Sequence, residues 1–274
     1  MKRGNIKLAL ITGFLLANLN IYSADLEMDP DSKFTAEEKK LASQDPKYFT
    51  INESSIKIKL KEVKEEESNI VKENNYVSKD VSSVVDTIDK IVNIASKLWH
   101  IVQDNAPVSN VETKYAVALP MGINSAYQLS NWSRPKTYIY GFYAENLYGI
   151  KTIDVEYKVT FVYGGNYNGK GKFLTAVSVI PTRVDVAWGY TFNMHCYVPD
   201  STIVNVGDSK NPVAALQLKL SWEMSTFLKS SKGTSIYYVQ GDGYFNEIAS
   251  PFQKSLDLDS LKLQNSITGG IDEK

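Results

Sequence analysis

Nucleophiles, bases and soft metal ligands are scarce in this chain, and their placement limits the chemistry open to them. Two histidines and one cysteine occur in 274 residues. His195 and Cys196 are neighbours, a composition that suits a thiol nucleophile with its base. Successive residues of a strand point to opposite faces, however, so in an extended segment the two side chains cannot meet. Cys196 then reads as a small apolar core residue. No HExxH or CxxC spacing occurs, so no metal site is expected. The serine-hydrolase elbow GxSxG is missing as well.

Gly164, Gly169 and Lys170 match the GxxxxGK spacing of a phosphate-binding loop. The next residue is Gly171 rather than Ser or Thr, and no helical pattern follows to offer its N-terminus to a phosphate. The stretch GGNYNGKG therefore reads as a hairpin turn. Asp154, Glu156, Asp185 and Glu223 alternate onto the polar side of their segments, together with Lys158, Arg183 and Lys219. Mixed charges in that pattern are what cross-strand pairing in water produces, whereas an acid–base pair needs a concave site with perturbed acidities. The expectation is a chain with no catalytic residue and no cofactor. Oxygen ligands in the GDG of residues 241–243 and in the loop 205–211 lack the acidic spacing of a calcium loop.

Aromatic side chains carry more functional promise. Seventeen tyrosines and four tryptophans are present, and Tyr127, Trp132 and Tyr167 fall near turns. Rigid amphipathic rings at loop tips make recognition surfaces at low entropic cost. Those three residues, with Asp208 in the Asn-rich loop, are the candidate ligand-binding residues.

The elements that must position them are mostly strands. Ile153, Val155, Tyr157, Val159, Phe161 and Tyr163 alternate with Thr152, Asp154, Glu156, Lys158 and Thr160, one face in and one face out. The same period runs through Val111–Leu119, KTYIYGFYA, KFLTAVSVI, Val184–Val198, Leu216–Met224 and IYYVQGDGYF. About seven antiparallel strands with turns between them predict a β-sandwich over 108–246. Some runs exceed the usual five or six residues, so bends are expected at Gly189, Gly241 and Gly243.

Ahead of the strands, residues 80–105 carry a different period. Val81, Ile88, Ala95 and Val102 recur every seven residues, with Val84, Ile91 and Leu98 three later and Val85, Val92 and Trp99 four later. That spacing predicts one long amphipathic helix with His100 on its polar side. The stripe can pack on the β domain, which is the favoured reading, pair with a second copy of the chain, or lie on a membrane surface; Val84, Ile88, Ile91, Leu98 and Trp99 are its candidate self-association residues, through which a homo-oligomer would form.

Residues 25–79 are rich in charge and poor in aromatics and read as a flexible spacer, within which Ile56, Ile58 and Leu60 alternate as a strand would. The tail 247–274 is polar and reads as loose or as an added edge strand. The first residues, MKRGNIK followed by LALITGFLLANL, have the form of a secretory signal peptide over 1–24, cut after Ser23 or Ala24. Its apolar run is shorter than the roughly 20 residues a membrane span needs. Removing Lys2, Arg3 and Lys7 with no acid takes the net charge from −1 to about −4, which argues against nucleic acid as a partner. A lone cysteine leaves the exported chain without an intramolecular disulfide, so its core must hold it.

The sequence therefore predicts a mainly β protein, an antiparallel sandwich preceded by one amphipathic helix, exported to the periplasm or beyond the cell. The function it favours is non-catalytic: binding of a protein or glycan, or a structural role. A membrane-perturbing protein whose 150–180 hairpin inserts in lipid is the first alternative. A secreted hydrolase using the outer-face carboxylates Glu156 and Asp185 is the second.

Overall fold

The computed structural model describes residues 33–65, 88–108 and 114–250. Along the chain they form α1 (Ala36–Gln44), β1 (Ile51–Glu65), β2 (Ile91–Val92), β3 (Leu98–Gln103), β4 (Ala106–Pro107), β5 (Ala116–Pro120), β6 (Lys136–Asn146), β7 (Lys151–Tyr167), β8 (Lys170–Val186), β9 (Thr191–Tyr197), β10 (Val204–Asn205), β11 (Ala214–Ser225), β12 (Ser230–Gln240) and β13 (Phe245–Ala249). One sheet has the order β1-β6-β7-β8-β5-β2 and the other β13-β12-β11-β9-β3-β4, with β10 beside β11. The fold is mainly β, two antiparallel sheets packed as a sandwich, with its helix N-terminal to the strands.

Alternation places the core. Val155, Tyr157, Val159 and Phe161 of β7 and Leu216, Leu218, Leu220 and Trp222 of β11 are buried between the sheets. Rings join the two layers: Phe142 of β6 lies 5.0 Å from Phe192 of β9 and 4.9 Å from Trp222. Tyr140 and Tyr237 are 5.0 Å apart. The hydroxyls of Tyr157 and Tyr237 bond each other at 2.7 Å across the interior, which gives each buried phenol the partner it needs. Much of the tyrosine content is thus core material.

The glycine-rich stretch forms the hairpin joining β7 and β8. Asn168 and Gly169 have φ of 51° and 78°, the paired positive values of a type I′ turn, and Tyr167 pairs with Lys170 across it. Strand β8 continues past Pro181, which sits at a register shift against β7, where a missing N–H costs no ladder bond. Gly189, with φ of 79°, makes a full reversal into β9 rather than a bend within one strand.

Two segments differ from the sequence reading. The first is the predicted helix over 80–105. Val84 lies outside the described residues, but Ile91–Val92 pairs with β5 and Leu98–Gln103 pairs with β9. Trp99 and Ile101 point into the core while Leu98 and His100 face outward. A segment rich in Val, Ile and Trp fits a pleated surface well, and β9 offers it a ladder of backbone bonds that a lone helix lacks. The second is the spacer. Within 25–79 the described residues form α1 and the fifteen-residue β1. Ile51 and Ile56 of β1 enter the core. Its Lys57, Lys59 and Lys61 are charged because β1 is an edge, where lysines block pairing with a second chain. Helix α1 begins with a capping box, Thr35 accepting from the Glu38 amide at 3.2 Å and Glu38 from the Thr35 amide at 2.7 Å, a T-x-x-E signature readable in the sequence. Strand β13 adds an edge to the second sheet. The leader over 1–24 lies outside the described residues.

Candidate functional site

The strands run between two ends, and each end gathers loops. At the end holding the β7–β8 hairpin lie the four ligand-binding candidates. Tyr127 is 99 % exposed, on a 3-10 turn that Ser125 caps by accepting from the Tyr127 amide. Trp132 has a different job. Its Nε1 donates to the Ala126 carbonyl at 3.1 Å, and its ring covers Gly165, where a Cβ would lie 2.4 Å from it. It therefore fastens the 121–135 loop to the hairpin. Tyr167 is half-buried against the core. Asp208 accepts from the amides of Lys210 and Asn211 at 2.7 Å each, the work of a turn-forming aspartate. Asn211 in turn accepts from the Gly171 amide at 2.8 Å, tying this loop to the same hairpin. The four residues share one end, and only Tyr127 offers its ring freely to solvent.

The self-association residues are not brought together. Ile88 and Ile91 pack partly against the core, Trp99 is buried with its Nε1 donating to the Val179 carbonyl at 3.4 Å, and Leu98 faces outward. Among the described residues they make no common exposed stripe, because β3 sends neighbouring side chains to opposite faces.

The opposite end carries a surface that the sequence reading missed. Three turns meet there: Leu147-Tyr148-Gly149-Ile150 between β6 and β7, Ala187-Trp188-Gly189-Tyr190 between β8 and β9, and Thr226-Phe227-Leu228-Lys229 between β11 and β12. Turns ordinarily take Gly, Asn, Asp, Pro or Ser. Here Leu147, Tyr148, Ile150, Trp188 and Leu228 are each 43–54 % exposed. The signal was legible as bulky residues in turn positions, but the residue types of one turn do not determine which other turns it meets.

Two of the three turns are held from beneath by a buried polar group. Asn146, fully buried, accepts from the amides of Tyr148 and Ile150 at 3.0 Å each. Thr226 accepts from Leu228 and Lys229 at 3.2 and 3.1 Å and donates to the Phe49 carbonyl at 2.6 Å. Gly189 lacks the Cβ that would meet the Phe49 ring at 2.4 Å. The segment following α1 joins all three turns: Tyr148 Oη donates to Asp45 at 2.9 Å, Tyr48 Oη to the Trp188 carbonyl at 3.2 Å, and the Phe49 and Trp188 rings meet edge-on at 5.9 Å. Lys47 lies 6.0 Å from the Tyr148 ring and Lys39 5.6 Å from the Phe227 ring, at cation–π range. Apolar side chains are thus presented on turns that have little freedom left to lose on binding.

No protein-family model matches the chain, and no curated protein or solved structure is found similar to it.

Catalytic alternatives have their own geometry. On the outer face of the first sheet, Asp154 is nearly buried between Lys151 and Arg183, the latter 2.6 Å away. Glu156 bonds Lys61 at 2.7 Å, and that ammonium holds its carboxyl below the ordinary range. Asp185 pairs with Arg183 at 3.3 Å. Each of these three carboxylates has a cation against it. Cys196 is buried, and burial pushes its thiol far up, away from the reactive thiolate.

Proposed function

We propose that this chain is an exported, non-catalytic binding protein whose recognition surface is the α1 end of the sandwich. The observation carrying this reading is the convergence of Leu147, Tyr148, Ile150, Trp188 and Leu228 on three hydrogen-bonded turns. Exposed apolar area is normally kept off loop tips, and where it collects on rigid turns it marks a contact surface. The leader-like first residues support export. The ion-paired carboxylates Asp154, Glu156 and Asp185 are better suited to holding the sheet than to proton transfer.

A test is to offer immobilised glycans and phospholipid vesicles to the purified chain, to a Leu147→Ser/Ile150→Ser/Trp188→Ser/Leu228→Ser variant, and to Tyr127→Ala. Loss of at least tenfold in affinity is expected for the quadruple variant, with Tyr127→Ala unchanged. The opposite result moves recognition to the hairpin end and overturns the reading, as does a wild-type chain that binds nothing offered.

A second reading, contact with a membrane, is favoured by the mix of Trp188, Tyr148 and Lys47 at one level, the residue types that settle at lipid headgroups. Among the described residues no helix is long and apolar enough to cross a membrane. Insertion of the β7–β8 hairpin is less favoured, since Val155, Tyr157, Phe161, Phe173 and Leu174 would all leave the core. Dye release from vesicles separates the two forms of contact: the docking form gives binding without release.

A further inference from the structure

The protein has only two histidines, and the fold sets them side by side. His100 of β3 and His195 of β9 are direct cross-strand partners on the outer face of the second sheet, their ring centroids 6.2 Å apart. Nothing in their spacing of 95 positions along the chain calls for this; the β3–β9 register does. His100 is exposed and His195 half-exposed, so both rings are reachable from solvent.

We propose that His100 and His195 together bind one divalent transition-metal ion, with water in the remaining positions. Cross-strand partners hold their Cβ atoms about 5 Å apart, and small rotations of two imidazoles bring one nitrogen of each to about 2.1 Å from a shared ion. Imidazole pairs select copper, nickel and zinc over magnesium and calcium. The ligating form is the neutral ring.

The surroundings suit an ion held by two protein ligands. Ser221 lies opposite His195 on β11, and its hydroxyl bonds Thr234 of β12 at 3.0 Å. One row away, Glu223 faces Asn193 and Lys232, and these residues share a shallow depression with His195. Glu223 is the acid and Lys219 and Lys232 are the bases on these strands' outer face. Among the described residues no cluster of three or more His, Cys, Asp or Glu is placed to hold an ion, so this is an open site, not a closed structural one. Among the described residues the sheet continues beyond β3 only as the two-residue β4. An ion shared by His100 and His195 clips this outlying strand to β9.

The site is independent of the α1 end, and its test uses the full chain without a polyhistidine tag. Titration with Cu²⁺, Ni²⁺ and Zn²⁺ at pH 7.5 is expected to give one ion per chain, Cu²⁺ tightest. At ten times the dissociation constant Tm is expected to rise by about 3 °C, and Mg²⁺ is expected to leave it unchanged. His100→Ala and His195→Ala each lose the shift, and Cys196→Ala keeps it. Should a histidine variant misfold, substoichiometric Cu²⁺ added to the wild type broadens the proton signals of both imidazoles together. Failure of every ion to bind, equal binding by both histidine variants, or broadening of one ring alone overturns the proposal.

Discussion

Glu247 pairs with Tyr237, whose ring belongs to the core, so the turn of β13 sends a carboxylate toward the tyrosines rather than toward water. Burial pushes its pKa from the ordinary value of 4.5 up to about 7, and its Oε1 has no hydrogen-bond partner. The folded protein therefore keeps a proton that the unfolded chain releases near 4.5. Stability from this group is complete below that value and is lost as pH rises through about 7. Between pH 5 and 8 the wild type is expected to lose about 2 kcal/mol, once water around the partly exposed group is allowed for. Glu247→Gln flattens that slope. Chemical denaturation at a series of pH values checks it, and equal slopes for the two proteins count against the argument.

Among the elements, the corner formed by the β12–β13 turn depends on one glycine. The Gly241 amide donates to Ala214 of β11 at 2.7 Å and its carbonyl accepts from Gly164 of β7 at 2.9 Å, so this residue stitches the two sheets together. A Cβ there would lie 2.0 Å from the Lys172 carbonyl oxygen of β8, and backbone cannot swing aside as a side chain does. Gly241→Ala is expected to cost about 3 kcal/mol. Gly149→Ala is the comparison, since nothing lies within 4 Å of its added Cβ and only the positive φ of 75° is strained. It should cost about 1 kcal/mol. Thermal melts of the two variants test the ranking, which fails if they unfold alike.

For the molecule as a whole, the sheets are held together by rings and not by covalent links, because Cys196 has no partner to bridge. Phe142 touches rings of both β9 and β11 and is fully buried. Phe142→Ala leaves a cavity between the layers and is expected to cost about 4 kcal/mol. Its denaturant midpoint should fall with the slope unchanged, the mark of lost stability in an unaltered fold. The same sandwich carries different surfaces at its two ends. Around the hairpin, Trp132 and Asp208 are occupied in holding loops and Tyr167 packs against the core, whereas the α1 end spends buried groups such as Asn146 and Thr226 on presenting apolar turns.

Much of this architecture is written locally. Alternation along residues 151–167 and 214–225, and Asn-Gly at the hairpin, determine two-faced strands and a tight turn, because each depends only on side chains a few positions apart. Residues 88–103 show where such reading stops. Their Val and Ile spacing satisfies a helix, their residue types satisfy a strand, and the free side of β9 decided between them. The two histidines became neighbours, and the LYGI, AWGY and TFLK turns became one surface, only through pairings between distant strands. Which loops meet is a property of register and topology. Those are settled when the whole core closes, and no window of the sequence contains them.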